Sequence, residues 1–348
     1  MKKFLCALLA LALLSLPGFA EGSKFVIPHE SDAFSMETAF SVLPLAGPQT
    51  AGDARTLFED MGFEVLRQEN YGKPVSDHSH TSAYTVAVGE AEVRGETRPL
   101  VVISIRGTAD GEWYSNFDFA GETGEDCRYA ENFMAAAQSI FDAAKPDIEQ
   151  YENPVVLATG YSRGAACANL LGVLLDEEYG PEDVYVYTFA TPNTVRTADA
   201  AHTNIFNLVN MNDAVTRMPL PAWGFCRAGV DIELRDPDNV NAEMHEMFLA
   251  LLGVCPDIAS YYGDRHSLTA PGLSDDGITF FELFQAVADA FTNGAPSPET
   301  QALFQRIMTS QNDMTGFFSL FMGTSDASFF DQHRPTVYVE LMRAREAQ

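Results

Sequence analysis

Val155-Val156-Leu157-Ala158-Thr159-Gly160-Tyr161-Ser162-Arg163-Gly164-Ala165-Ala166 is the stretch on which the fold turns. Four apolar residues read as a short buried strand, and from Arg163 to about Leu175 the spacing of Ala, Cys and Leu reads as a helix. Between them stands only Gly160-Tyr161-Ser162-Arg163-Gly164, so the chain must turn sharply from strand into helix. In such a turn the serine takes a strained backbone and presents its hydroxyl, while glycines two positions either side let the arms approach. Ala165 and Ala166 keep the next positions small, and the free N–H groups of the helix start face any oxygen that gains negative charge. An ordinary glycine-rich strand–helix connection would share the glycines. Its place between a buried strand and a helix makes Ser162 the candidate nucleophile.

Outward from this turn, the chain alternates strands and helices. Residues 84–93 and 99–105 are rich in β-branched residues and are separated by Arg94-Gly95-Glu96-Thr97, which predicts a hairpin. Residues 52–61 and 129–150 read as helices, 63–66 as a short extended piece, and 184–189, 205–210 and 225–234 as further strands. Short apolar strands alternating with helices predict an α/β fold with a largely parallel central sheet. From about 236 to 330 only helical patterns recur, around 242–252, 278–292, 299–309 and 314–322, with many phenylalanines such as Phe280, Phe284, Phe317 and Phe321. That segment is expected to be a helical insertion, either a subdomain with its own aromatic core or a cap over an apolar site. The expected organisation is a leader over 1–20 and a single domain over 21–348.

A second strand, 101–105, ends in Arg106-Gly107-Thr108. The backbone N–H of Thr108, with its hydroxyl as an additional donor, and that of Arg163 are expected to bind an oxyanion. Asp213 follows a strand and a polar turn, 51 residues after Ser162, and is the candidate for a buried carboxylate that orients an imidazole. Asp183 and Asp231 are its rivals; they lie before or within strands. Two histidines follow Asp213 in suitable loops, His266 and His333, and spacing does not choose between them. His245 lies in an amphipathic helical pattern, and His29, His78, His80 and His202 precede Asp213.

Four stretches together resemble the class 3 lipase family of α/β-hydrolases. They are residues 103–118, with Arg106-Gly107-Thr108 and then Glu112-Trp113-Tyr114-Ser115-Asn116-Phe117-Asp118; 159–171; 187–193; and 204–225, which carries Asp213, Pro219 and Trp223. Where the family often has His-x-Gly-Phe before the elbow strand, this chain has Ala130-Glu131-Asn132-Phe133, and Arg163 stands where Leu or Met is common. The resemblance implies an α/β-hydrolase with a mostly parallel central sheet, in which the helical insertion read over about 236–330 falls between the catalytic Asp and His. It also implies lipase or esterase chemistry, with Ser, Asp and His in that order. His333-Arg334-Pro335-Thr336-Val337-Tyr338 resembles the C-terminal segment of bacterial class 3 lipase relatives, which implies His333 as the triad base. On this reading Ser162, Asp213 and His333 form the triad, and Thr108 with Arg163 the oxyanion hole. The substrate is a small-molecule or lipid ester met at a transient lipid interface, and no cofactor and no obligate protein partner are needed. The rival from another class is a non-catalytic exported binding protein on the same scaffold.

Composition narrows the setting. Lys plus Arg number 21 against 49 Asp plus Glu, a formal charge of −28, which repels phosphate backbones and argues against nucleic acid. Lys2 and Lys3, an apolar run to Leu16, and Gly18-Phe19-Ala20 have the form of an export signal cleaved after Ala20, so a secreted protein is expected. Of the cysteines beyond Cys6, Cys167 reads as a small core residue and Cys226 with Cys255 as the one pairing to consider, leaving Cys127. Asp77-His78-Ser79-His80 reads as a turn, and no metal site is expected.

Overall fold

The structure is a computed structural model that describes residues 25–72, 80–109, 112, 115–117, 128–196, 200–219, 221–235, 298, 301–302 and 332–347. An eight-stranded sheet runs β1 (Phe25–Val26), β3 (Tyr84–Val93), β4 (Glu96–Ile105), β5 (Val155–Tyr161), β6 (Val184–Phe189), β8 (Ile205–Asn210), β10 (Val230–Leu234), with β2 (Glu64–Glu69) also paired to β3. From β4 to β10 every neighbour is parallel, and the β2–β3–β4 meander is antiparallel. β7 (Val195–Arg196) and β9 (Phe225–Cys226) form a separate two-stranded ribbon. The expected hairpin is present, extended by three residues so that Glu96 opposes Val93.

Strand β5 is buried along its whole length because both sheet faces are covered. Alternate residues serve the two faces. Val101, Ile103 and Ile105 with Val156 and Ala158 meet α3 (Glu131–Glu149) and α4 (Arg163–Tyr179) through Phe133, Ile140, Leu170 and Leu171. Leu100, Val102, Val155 and Leu157 form the other core with α1 (Met36–Val42), α2 (Ala51–Asp60) and α5 (Pro335–Glu346), including Ala39, Phe58 and Met342. The result is a three-layer α/β/α fold.

Two details depart from the sequence-based expectation. Helix α1 carries too short a periodic pattern to be anticipated; its seven residues are held by the Ser35 hydroxyl, which accepts from Thr38 N–H, and by burial of Ala39 and Val42. The stretch expected as one strand over 225–234 is two, because the chain leaves the β9 ribbon at Cys226 and joins the main sheet only at Val230. The helical patterns around 242–252, 278–292 and 314–322 lie outside the described residues, as does nearly all of 299–309. The same is true of the leader over 1–20.

Candidate active site

The turn after β5 is as tight as the sequence requires. Ser162 has φ 58° and ψ −124°, a backbone that costs a non-glycine residue about 1–3 kcal/mol. Its N–H donates to the Phe189 carbonyl at 3.0 Å, which ties the turn to the end of β6. A Cβ on Gly160 would fall inside the Gly164 backbone, and one on Gly164 would fall on the carbonyl oxygen of Ile105. The glycines are needed because strand β5, helix α4 and the end of β4 meet there backbone to backbone.

Three side chains from distant parts of the chain converge on this serine. His333 stands two residues before α5, and its Nε2 lies 2.8 Å from Ser162 Oγ. Its Nδ1 lies 2.7 Å from Asp213 Oδ2. A carboxylate only accepts, so Nδ1 carries the proton and Nε2 is left to accept from the serine hydroxyl. Asp213 is completely buried. Its Oδ1 accepts from Val215 N–H at 3.0 Å, so the carboxylate also caps the short 3-10 helix over Ala214–Arg217. The Tyr338 hydroxyl donates to the same Oδ2 at 2.8 Å and accepts from Asn210 N–H at 3.2 Å.

Two tyrosines fix this arrangement. Burial first, then the Asp213 charge, push the Tyr338 phenol well above the usual tyrosine range. The same two causes, in the same order, raise Tyr161. Both therefore remain neutral donors. The Tyr161 hydroxyl donates to the His333 carbonyl at 2.8 Å, which pins the histidine loop to the serine turn. Asn210 holds the same loop from the other side, its Nδ2 donating to the carbonyl and the side chain of Gln332, both at 3.0 Å.

The loop after β4 passes directly under the turn: a Cβ on Gly107 would sit 3.1 Å from the Tyr161 carbonyl oxygen and 3.9 Å from Ser162 Cβ. Arg106 and Glu112 brace this loop through a buried ion pair at 2.8 Å, and Glu112 also accepts from Ala109 N–H at 2.7 Å. Thr108 Oγ1 accepts from Asn116 Nδ2 at 3.0 Å. Arg163, first residue of α4, turns its side chain inward to Asn116, Ser82 and Thr81.

Ser162, His333 and Asp213 are thus joined in one hydrogen-bonded chain, with Thr108 and Arg163 on the neighbouring loop and helix start. The rival acids are engaged elsewhere. Asp183 binds Arg98 at 2.7 Å, a bond that holds its carboxyl below its ordinary range, and Asp231 binds Arg227 at 2.8 Å. His202 pairs with Asp176 at 2.7 Å and His29 with Glu30 at 2.9 Å, and His80 lies 3.1 Å from the Ser115 hydroxyl. His78, His245, His266, Cys127 and Cys255 lie outside the described residues. Cys167 is buried in the core, its thiol pushed up by that burial. Among the described residues no cluster of His, Cys, Asp and Glu is arranged to hold a metal ion, and no helix is long and apolar enough to cross a membrane.

Tyr161, Asn116 and the side chains of Tyr338 and Arg163 went without a role in the sequence. Only Tyr338 left a readable signal. Pro335 marks a helix start, and a tyrosine in that first turn can reach back over the preceding loop.

Residues 102–223 match the model of the family described as Lipase (class 3). That span takes in Thr108, Asn116, Ser162, Arg163 and Asp213 and stops short of His333. Among solved structures, the native propeptide complex of Rhizomucor miehei lipase is 18% identical, with 60% of this chain and 71% of that one covered at a TM-score of 0.44. A lipase from Rhizopus microsporus var. chinensis is 16% identical, with 64% and 85% covered at a TM-score of 0.44. The largely parallel sheet with its serine turn after β5 has the arrangement of the α/β-hydrolase fold, and the span matched to the family is about a third of the chain.

Proposed function

We propose that this chain is an exported serine hydrolase that cleaves lipid esters through an acyl-enzyme, with Ser162, His333 and Asp213 as its triad. Ser162 Oγ bonds to the ester carbonyl carbon as its proton passes to His333 Nε2. Asp213 stabilises the imidazolium so formed. The backbone N–H groups of Thr108 and Arg163 take up the charge on the carbonyl oxygen. Collapse of this adduct breaks the bond to the alcohol oxygen, which receives the proton from His333. Water then repeats the sequence and releases the acid and Ser162.

The observation that carries this reading is the unbroken hydrogen-bonded chain, 2.8 Å from serine to histidine and 2.7 Å from histidine to aspartate. The complete burial of Asp213 supports it, because a charge pair is worth more where water is excluded. The same proposal gives the phenylalanine-rich segment over 236–330, read from the sequence alone, the role of accepting the acyl chain. Residues 1–20 direct export, and N-terminal sequencing of protein recovered from the medium is expected to begin at Glu21.

Hydrolysis of p-nitrophenyl esters of increasing chain length tests the activity. The expected result is turnover that Ser162→Ala abolishes, that His333→Ala lowers by several orders of magnitude, and that His266→Ala leaves near wild type. A dead His266→Ala beside an active His333→Ala overturns the histidine assignment. Chain-length preference unmoved by Phe→Ala changes at Phe280, Phe284, Phe317 and Phe321 overturns the acyl-pocket role.

A further inference from the structure

Arg227 lies in the crossing from β9 to β10 and is buried. A guanidinium has five donors and no acceptor, so burying one demands oxygens along each edge of its fork. Nε donates to Asp231 Oδ1 at 2.8 Å and Nη2 to Asp231 Oδ2, a bidentate pair that neutralises the charge. Nη1 remains, and it faces three oxygens from other segments. They are the Thr191 carbonyl at 3.2 Å, Asn193 Oδ1 at 3.0 Å and the Thr216 carbonyl. Thr191 and Asn193 belong to the loop after β6, and Thr216 to the turn after β8 that carries Asp213.

From Thr216 the grip passes directly to the acid. The Thr216 hydroxyl donates to the Asp213 carbonyl at 2.7 Å, and the Thr216 N–H donates to the same oxygen at 3.3 Å. Asn193, its amide oxygen turned to Arg227, donates from Nδ2 to the Pro219 carbonyl at 2.7 Å. Its backbone N–H donates to the Met218 carbonyl at 2.8 Å. Arg227 and Asn193 therefore hold residues 216, 218 and 219, while His333, Tyr338 and Val215 hold the carboxylate itself. Asp213 is fixed at both ends, its oxygens against the base and its main chain against the loop after β6.

We infer that Arg227, through Thr216 and together with Asn193, is a positioning residue that locks the acid turn where the Asp213 carboxylate meets His333 Nδ1. It touches neither substrate nor the reacting atoms. A slip of the turn by about 1 Å would stretch the 2.7 Å bond between His333 and Asp213 beyond hydrogen-bond reach. A lysine cannot replace the arginine, because a single ammonium cannot bind Asp231 and also span the oxygens of two loops. This rests on the Ser162 hydrolase reading.

Arg227→Met tests the clamp. The expected result is a loss in kcat of roughly 10²-fold with KM unchanged, the scale of a 1 Å misplacement of a catalytic group. The proton NMR signal of His333 Nδ1, carried downfield by its bond to Asp213, should weaken or move upfield, and Asp213→Ala identifies that signal by abolishing it. A clamp that served stability alone would lower the melting temperature and leave both kcat and the signal in place. Arg227→Lys keeps the charge without the fork and should stay impaired. Arg217→Gln removes a cation from the same turn, one whose Nη2 meets Met211 Sδ at 3.4 Å, and should keep wild-type kcat. Wild-type kcat in folded Arg227→Met, full recovery in Arg227→Lys, or an equal loss in Arg217→Gln overturns the clamp. If thermal melting shows Arg227→Met unfolded, Thr216→Val decides, because it cuts the link to Asp213 at nearly constant shape. A fall in kcat of roughly 10-fold is then expected, and wild-type kcat overturns the inference. A wild-type protein with no Ser162-dependent turnover and no fluorophosphonate labelling overturns the hydrolase reading and this inference with it. Active wild type with unaffected variants overturns the clamp alone.

Discussion

Tyr338→Phe removes one oxygen atom from the most buried part of the site. The lost hydroxyl donates to the Asp213 carboxylate at 2.8 Å and accepts from Asn210 N–H at 3.2 Å. A hydrogen bond to a charged group contributes about 1.5–3 kcal/mol, and a buried N–H left without a partner costs about 1–3 kcal/mol. The ring's edge-to-face contact with Tyr161, centroids 5.6 Å apart, survives in phenylalanine, so packing contributes little to the difference. The expected loss is about 3–5 kcal/mol, a large part of the total stability of an ordinary domain. Denaturant unfolding should show it as a lower midpoint with an unchanged slope. Tyr185→Phe is the control. Its hydroxyl donates only to the neutral Pro28 carbonyl at 3.0 Å, and the expected loss is about 1 kcal/mol. Asp213 in the Tyr338 variant keeps His333 and the Val215 N–H, so turnover should fall far less than in Asp213→Ala. A Tyr338→Phe loss no larger than that of Tyr185→Phe would refute the idea that this phenol stabilises a buried carboxylate.

Gly164→Ala puts a methyl group against the Ile105 and Arg106 backbone, which cannot yield, and should cost about 3 kcal/mol or abolish soluble expression. Gly52→Ala, whose new carbon would meet nothing nearer than Thr50 Oγ1 at 3.9 Å within α2, should instead gain about 0.5–1 kcal/mol by thermal melting. Glu112→Gln strands the Arg106 charge in a pocket where Glu112 is only 1% exposed, and equilibrium unfolding should show a loss of about 3 kcal/mol. Tyr84, Tyr185 and Tyr187 are pushed up to about 12, in each case chiefly by burial. The unfolded chain therefore releases these protons first, near pH 10. Stability is full below that pH and should fall by up to about 1.4 kcal/mol per pH unit for each group between about 10 and 12. Unfolding midpoints that stay flat across that interval would contradict the burial of these phenols.

The amino-acid sequence determined those features whose cause is local. Strands β5, β6 and β8 are legible because a strand covered on both faces is mostly apolar, and the serine turn because only glycine tolerates backbone at van der Waals distance on both arms. Helix α1 was not legible: seven residues are too few for a periodic signal, and the helix exists because the sheet face beneath it needs cover. Spacing along the chain did not choose between the histidines; only the resemblance of His333-Arg334-Pro335-Thr336-Val337-Tyr338 to a family segment did. His333 lies 171 residues from Ser162 and 120 from Asp213, and the packing of α5 against the sheet brings it to both. Asn116 reaches Arg163 across 47 residues, and Tyr338 reaches Asp213 across 125. A hydrogen bond between segments so far apart imposes no spacing on the chain. It becomes visible only when the folded backbone has fixed where each side chain can point.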